Sequence, residues 1–337
     1  MEEINSRIIS LIKGLAICSV IIAHSPIKYT NIGGQVLNEV YDKIGTIGVI
    51  LFLIIGGYLY YGKKENIKIF AIKKIKSVII PWFFCSSIVF VISCIFGGNK
   101  GNLNLFKWIK FILGSGSIYY YMTIYILLIF ILYPYRNNIR KSKVMVILII
   151  TIISILFTDF SNIFFVQNYA YLNILNWIGF FILGMWIKAN NKLENIKNYT
   201  EKKILIIVIL AILFIFLGIK IDGIGMSYFK IFSIPIEMTG SLIALWVSIK
   251  IVSKYINSKN FIFNILKDAG KYSFTIYLLH LPIASIVNRI VNKYVPFIGA
   301  IKFVIILLIM IILIRIYNKL VSNIKKTKYF NILIGLR

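Results

Sequence analysis

The chain has 337 residues, 59% of them hydrophobic and only 15% charged. A water-soluble domain of this length has too little interior to hide so much apolar surface, which excludes an ordinary soluble enzyme and a disordered chain. The formal net charge is +27, from 38 Lys and Arg against 11 Asp and Glu. Because the cations gather in short connections between apolar runs, the excess reads as membrane topology and not as nucleic-acid binding.

Apolar runs recur along the whole chain and predict ten spanning helices, at about 8–25, 44–62, 77–96, 118–134, 144–158, 170–187, 203–219, 230–249, 272–290 and 299–317. The expected fold is all-α: one polytopic transmembrane domain over residues 1–337, with no soluble domain. An even number of spans puts both termini on one side. The connections on that side hold 27 Lys and Arg and the opposite set holds 8, with Lys13, Arg289 and Lys302 left out as lying within or at the edge of spans. The bias predicts cytoplasmic termini.

The first run, Ile8 to Ser25, carries Lys13 and one of only two histidines, His24. Ionisable groups inside a span are costly and face protein or water. Eleven residues are close to three helical turns, so the two share a face, roughly 16 Å apart along the axis. Lys13 interrupts the run, which then continues to His24, as in a retained signal-anchor helix and not a cleaved leader. Pro26 ends the helix. The second run carries Gly56-Gly57, which permits close helix contact.

The segment before the third run is the densest basic cluster, with Lys73, Lys74 and Lys76. Two readings stay open: topology with contact to anionic lipid, or point-charge recognition of a phosphorylated cofactor. Cys18, Cys85 and Cys94 all fall inside apolar runs, and we expect neither a disulfide nor a metal site. The fourth run opens with Tyr119, Tyr120, Tyr121 and Tyr125, an interfacial belt or a platform for a sugar. Glu237 lies within the eighth run and is a candidate either for function or for structural pairing. The ninth run holds His280, followed by Pro282, which should free the carbonyl of Leu278 and kink the helix. Both histidines stand in a His-x-Pro-Ile context.

Taken in order, IKGLAICSVIIAH, GVILFLIIGGYL, the basic segment before IIPWF, WIGFFILGMWI and YSFTIYLLHLPI resemble the acyltransferase-3 family of integral-membrane acyltransferases. Within it they are most similar to the stand-alone branch of fucose acetylase-like and intercellular adhesion protein C-like proteins. The resemblance covers essentially the whole chain. It departs from the family pattern at Lys13 (commonly arginine), Gly56 (usually serine), Tyr119 (frequently tryptophan) and the Arg-x-x-Arg pair, where Lys74 and Ser77 stand.

The resemblance implies transfer of an acyl group, typically acetyl, from cytoplasmic acyl-CoA to a hydroxyl of a cell-surface or membrane-bound glycan or glycolipid, in the plasma membrane of a bacterium. Acyl-CoA is then the co-substrate, bound through Lys13, Lys73, Lys74 and Lys76, and no metal is involved. His24 is the candidate general base or covalent carrier, and His280 and Glu237 are the further catalytic candidates. Glu237 would orient a histidine. Two other classes remain: a transporter or flippase exporting a surface polysaccharide or glycolipid, and a non-catalytic partner of the glycan-synthesis machinery.

Overall fold

The computed structural model describes residues 2–27, 32–60, 66–96, 103–164, 172–191, 230–255, 260–294, 301–321 and 327–336, with Ile206, Ile209 and Gly299. Its elements are helical throughout. They are α1 (Glu2–Ala23), α2 (Ile32–Tyr60), α3 (Ile67–Lys74), a π-helical turn (Ile75–Ile79), α4 (Ile80–Phe96), α5 (Leu105–Leu113), α6 (Tyr120–Ile131), α7 (Arg136–Lys141) and α8 (Val144–Phe164). They continue with α9 (Leu175–Ala189), α10 (Lys230–Tyr255), α11 (Phe261–Lys271), α12 (Ser273–Tyr294), α13 (Lys302–Val321) and α14 (Thr327–Leu333).

Five of these stretches are long and apolar enough to cross a bilayer: Ser6–Ala23, Val36–Tyr60, Ile67–Phe96, Ser273–Tyr294 and Lys302–Val321. Four shorter apolar helices accompany them, within α6, α8, α9 and α10. The protein is an all-helical polytopic membrane protein. Nine of the ten runs expected from sequence coincide with these helices; the run at 203–219 lies outside the described residues, apart from Ile206 and Ile209.

α1 is the axis of the bundle. Its first half (Ile8, Ile9, Leu11, Ile12, Ala16) packs into one apolar cluster with α2, α6, α9 and α10. Its second half (Ile17, Val20, Ile21) packs into another with α4, α6, α12 and α13. A helix apolar all round is one enclosed by other helices. α4 shows the contrast: Phe83, Phe84, Ile88, Val91 and Ile95 stay exposed along it, a stripe suited to hydrocarbon.

Small residues set the closest crossings. A Cβ on Gly57 would run into the carbonyl of Phe181, and one on Gly184 into the carbonyl of Ile54, so α2 and α9 meet as the Gly56-Gly57 pair predicted. Gly14 and Gly270 are reciprocal in the same way: a Cβ on either would strike the other helix's backbone, at Leu266 or Ser10. That contact seats α11 against the first half of α1.

Three connections contain helix where the sequence suggested loop. α2 starts at Ile32, inside the expected 26–43 loop, while α5 lies in 97–117 and α11 in 250–271. Both α5 and α11 are short and amphipathic, and neither is long enough to register as a span. Each begins on an asparagine whose side chain caps the first turn: Asn104 accepts from the Phe106 N–H at 2.8 Å and Asn260 from the Ile262 N–H at 3.0 Å.

Candidate active site

α1 and α12 bring the two histidines together. The rings of His24 and His280 lie 5.3 Å apart between centroids, tilted by 43°. The two rings therefore sit side by side at one level of the bundle. His280 is fully buried. Its Nδ1 lies 3.1 Å from the Ile276 carbonyl and 2.9 Å from the Tyr277 carbonyl. Both partners are acceptors only, so Nδ1 carries the hydrogen and Nε2 keeps its lone pair. Nε2 is buried without a hydrogen-bond partner among the described residues. The chain thus holds a tautomer-fixed acceptor beside His24.

Pro282 explains the shape of α12 here. Having no N–H, it leaves the Leu278 carbonyl without its helical donor. The hydroxyl of Tyr119, a fully buried residue, donates to that carbonyl at 2.8 Å. One residue earlier in each segment, the Tyr277 hydroxyl donates to the Ile118 carbonyl. These two bonds tie the histidine-bearing stretch of α12 to the start of α6.

Three cavities follow one another along the bundle. The first, of about 500 Å³, is walled by Val20, Ala23 and His24 from α1 and by Asp42, Gly45, Thr46 and Val49 from α2. Each set recurs at three- and four-residue intervals, one face of each helix. Tyr120, Tyr121, Trp177 and Tyr277 complete the wall. The second cavity, about 190 Å³, shares Tyr121 and Tyr277 with the first and adds Lys13, Gly56 and Tyr125. The third, about 710 Å³, shares Lys13, Leu59, Gly270 and Lys271 with the second, and adds Arg7, Lys188 and Lys267. Its acidic member, Asp268, is engaged by Arg315. A basic mouth, the second cavity and the chamber that holds His24 therefore lie in series, with Tyr121 and Tyr277 forming a waist between the last two. The two waist rings meet edge-on, their centroids 5.5 Å apart, and close the waist in this structure.

The residues expected from sequence divide accordingly. Lys13 lines the second and third cavities and His24 the first, so the shared face of α1 does look into the interior. Lys74 is half-buried and donates from Nζ to the hydroxyl of Tyr125, a wall residue of the second cavity, at 3.1 Å, but does not itself line a cavity. Lys73 and Lys76 are exposed and line none of the three. The backbone of Glu237 lies in α10; its side chain falls outside the described residues. The Nδ1 of His280 is oriented by backbone carbonyls, the part expected of a carboxylate.

Sequence reasoning missed Asp42, Tyr277 and the cations Arg7, Lys188, Lys267 and Lys271 as cavity residues. For Asp42 a signal existed: it stands at i−3, i−4 and i−7 from Gly45, Thr46 and Val49, once α2 is extended back to it. For the cations there was none, because three helices distant in sequence supply them.

A family model described as an acyltransferase domain matches residues 7–315. The chain belongs to the acyltransferase-3 family. No curated protein and no solved structure matches it. Membership makes the protein a membrane-embedded acyl-transferring enzyme, and the match runs from the basic mouth at Arg7 through both histidines to Arg315, beside Asp268. Apart from Ser6 and Gly335, every residue that lines the three cavities lies within the matched region.

Proposed function

We propose that this acyltransferase moves an acetyl group from cytoplasmic acetyl-CoA to a hydroxyl of a cell-surface or membrane-bound glycan, with His24 as general base. The observation that carries the reading is the meeting of the chain's two histidines at the wall of a roomy chamber, His24 lining it and His280 buried behind, in series with a basic mouth. A chamber of about 500 Å³ is within the size range of small-molecule sites. Asp42 and the aromatic wall suit a polyhydroxylated acceptor, whose hydroxyls need hydrogen-bond partners and whose ring faces pack on aromatic rings.

The donor enters by its own chemistry. The phosphates of acetyl-CoA are anionic and match Arg7, Lys188, Lys267 and Lys271 at the mouth. Its slender pantetheine arm fits the narrow second cavity past Lys13. The thioester then reaches the waist, with the acetyl group toward His24. The acceptor binds from the opposite, outer side of the membrane.

In the transfer step His24 takes the proton of the acceptor hydroxyl as that oxygen attacks the thioester carbonyl carbon. The tetrahedral intermediate collapses with cleavage of the C–S bond. The leaving thiolate receives the proton from His24, giving the acetyl ester and free CoA. The Nε2 lone pair of His280 accepts an N–H from His24 as the imidazolium forms, fixing which nitrogen faces the hydroxyl. In this scheme the exposed Lys73 and Lys76 contact anionic lipid headgroups, and Lys74 holds Tyr125 at the cavity wall.

Mass spectrometry of surface glycans from cells with and without the protein tests the assignment. Acetyl-sized increments on sugar hydroxyls should vanish with the protein. Identical glycans in the two strains would sink the acceptor class.

A further inference from the structure

His24 is not part of a complete helical ladder. α1 ends at Ala23, and the last carbonyls of any helix lack intrahelical donors. Pro26 brings no N–H and pushes the residue before it out of helical conformation. The stretch His24 to Ile27 should therefore fray. A base that must meet a hydroxyl at hydrogen-bond distance cannot sit on a frayed end, since a misplacement of about 1 Å costs on the order of a hundredfold in rate.

The structure supplies side chains where the ladder stops. Asn288 of α12 donates from Nδ2 to the carbonyl of His24 itself, at 2.9 Å. Lys302 of α13, fully buried, donates from Nζ to the carbonyl of Pro26 and, at 3.0 Å, to Oδ1 of Asn292. Asn38 of α2 holds Ile27 from both sides: its Oδ1 accepts from the Ile27 N–H at 2.7 Å and its Nδ2 donates to the Ile27 carbonyl at 2.9 Å. The Ser25 hydroxyl closes on the Ile21 carbonyl at 2.7 Å. Three helices thus grip three of the four residues from His24 to Ile27 by their backbone.

Two features say that this grip serves more than packing. Lys302 is an ammonium buried in a membrane protein, an expensive placement, and it is spent on one carbonyl and one amide. Asn288 holds His24 while its own Oδ1 stays buried without a partner among the described residues, a polar atom left unsatisfied that an apolar side chain would have avoided. Asn288 and Asn292 are four residues apart and share a face of α12, and His280 lies about two turns before Asn288, so one helix carries both the grip and the second histidine.

We propose that Asn288 and Lys302 are positioning residues that fix the backbone of His24 and so aim its ring at the acceptor. The inference rests on reading His24 as the base. Neither side chain touches substrate; each acts through the chain at His24–Pro26.

The chain has two histidines, so full-length protein labelled with ¹⁵N in its imidazoles and held in lipid nanodiscs shows two rings, assigned with His24→Gln. In Asn288→Ala and Lys302→Met the His24 resonances should move or split, and by clearly more than those of the neighbouring His280. In the same samples, release of CoA from acetyl-CoA should lose roughly tenfold or more in kcat with KM for acetyl-CoA within about twofold, because the basic mouth is remote from the grip. If Asn288→Ala is not recovered folded, Asn288→Asp, which keeps the shape and replaces the donor with an acceptor, carries the same expectation. Unmoved His24 resonances, or equal movement of both rings, overturn the proposal. A wild-type protein that releases no CoA overturns the acyl-transfer reading instead, and the imidazole comparison still decides the grip.

Discussion

Tyr119→Phe removes one oxygen and nothing else, and the structure says what that oxygen does. It sits 2.8 Å from the Leu278 carbonyl, which Pro282 has stripped of its helical donor. Leaving a buried carbonyl unpaired costs about 1–3 kcal/mol; bilayer proteins recover part of that, and measured side-chain hydrogen bonds there average about 0.6 and reach about 1.7 kcal/mol. A loss of about 1–2 kcal/mol is therefore expected. Pro282→Ala restores an N–H to the same carbonyl. In that background the Tyr119 hydroxyl becomes redundant, and its removal should cost about 1 kcal/mol less. Reversible unfolding in mixed micelles of the four proteins (wild type, each single variant and the double) measures this coupling directly. If Tyr119→Phe costs the same with and without Pro282, to within about 0.3 kcal/mol, the hydroxyl does not serve the proline-freed carbonyl and the account of α12 is wrong.

Two further outcomes follow from the geometry. Gly270→Ala places a methyl group against the Ser10 backbone at the α1–α11 crossing; overpacking of this kind should destabilise by about 1–3 kcal/mol, and an unfolding midpoint equal to wild type would contradict the close contact. Neutralising Lys267 and Lys271 together as Gln should weaken acetyl-CoA binding roughly tenfold. The defect should shrink at high salt as the remaining charges are screened, and kcat at saturating donor should stay close to wild type; isothermal titration and steady-state kinetics read both, and unchanged affinity would move the donor phosphates elsewhere.

Sequence and structure agree most where one helix carries the whole signal. Lys13 and His24 share a face because their spacing is a property of α1 alone. The freed carbonyl at Leu278 was likewise legible from Pro282, although its partner Tyr119, distant in sequence, was not. Gly57 announced a close crossing without naming Gly184. What stayed hidden depends on several segments converging. The basic mouth draws on α1, α9 and α11, and the cluster that looked densest in sequence, Lys73 to Lys76, sends only Lys74 toward the cavities. α5 and α11 escaped notice because their apolar faces are too short to read as spans.

The central claim is that His24 performs the transfer. The direct measurement compares wild-type and His24→Ala protein in nanodiscs, following labelled acetyl from acetyl-CoA into isolated surface glycan alongside acetyl-CoA binding. Loss of a general base costs on the order of a hundred- to ten-thousandfold. The account predicts a loss of at least about a hundredfold in label transfer, with donor affinity unchanged because Lys13 and the basic mouth are intact. Undiminished transfer by His24→Ala would contradict it.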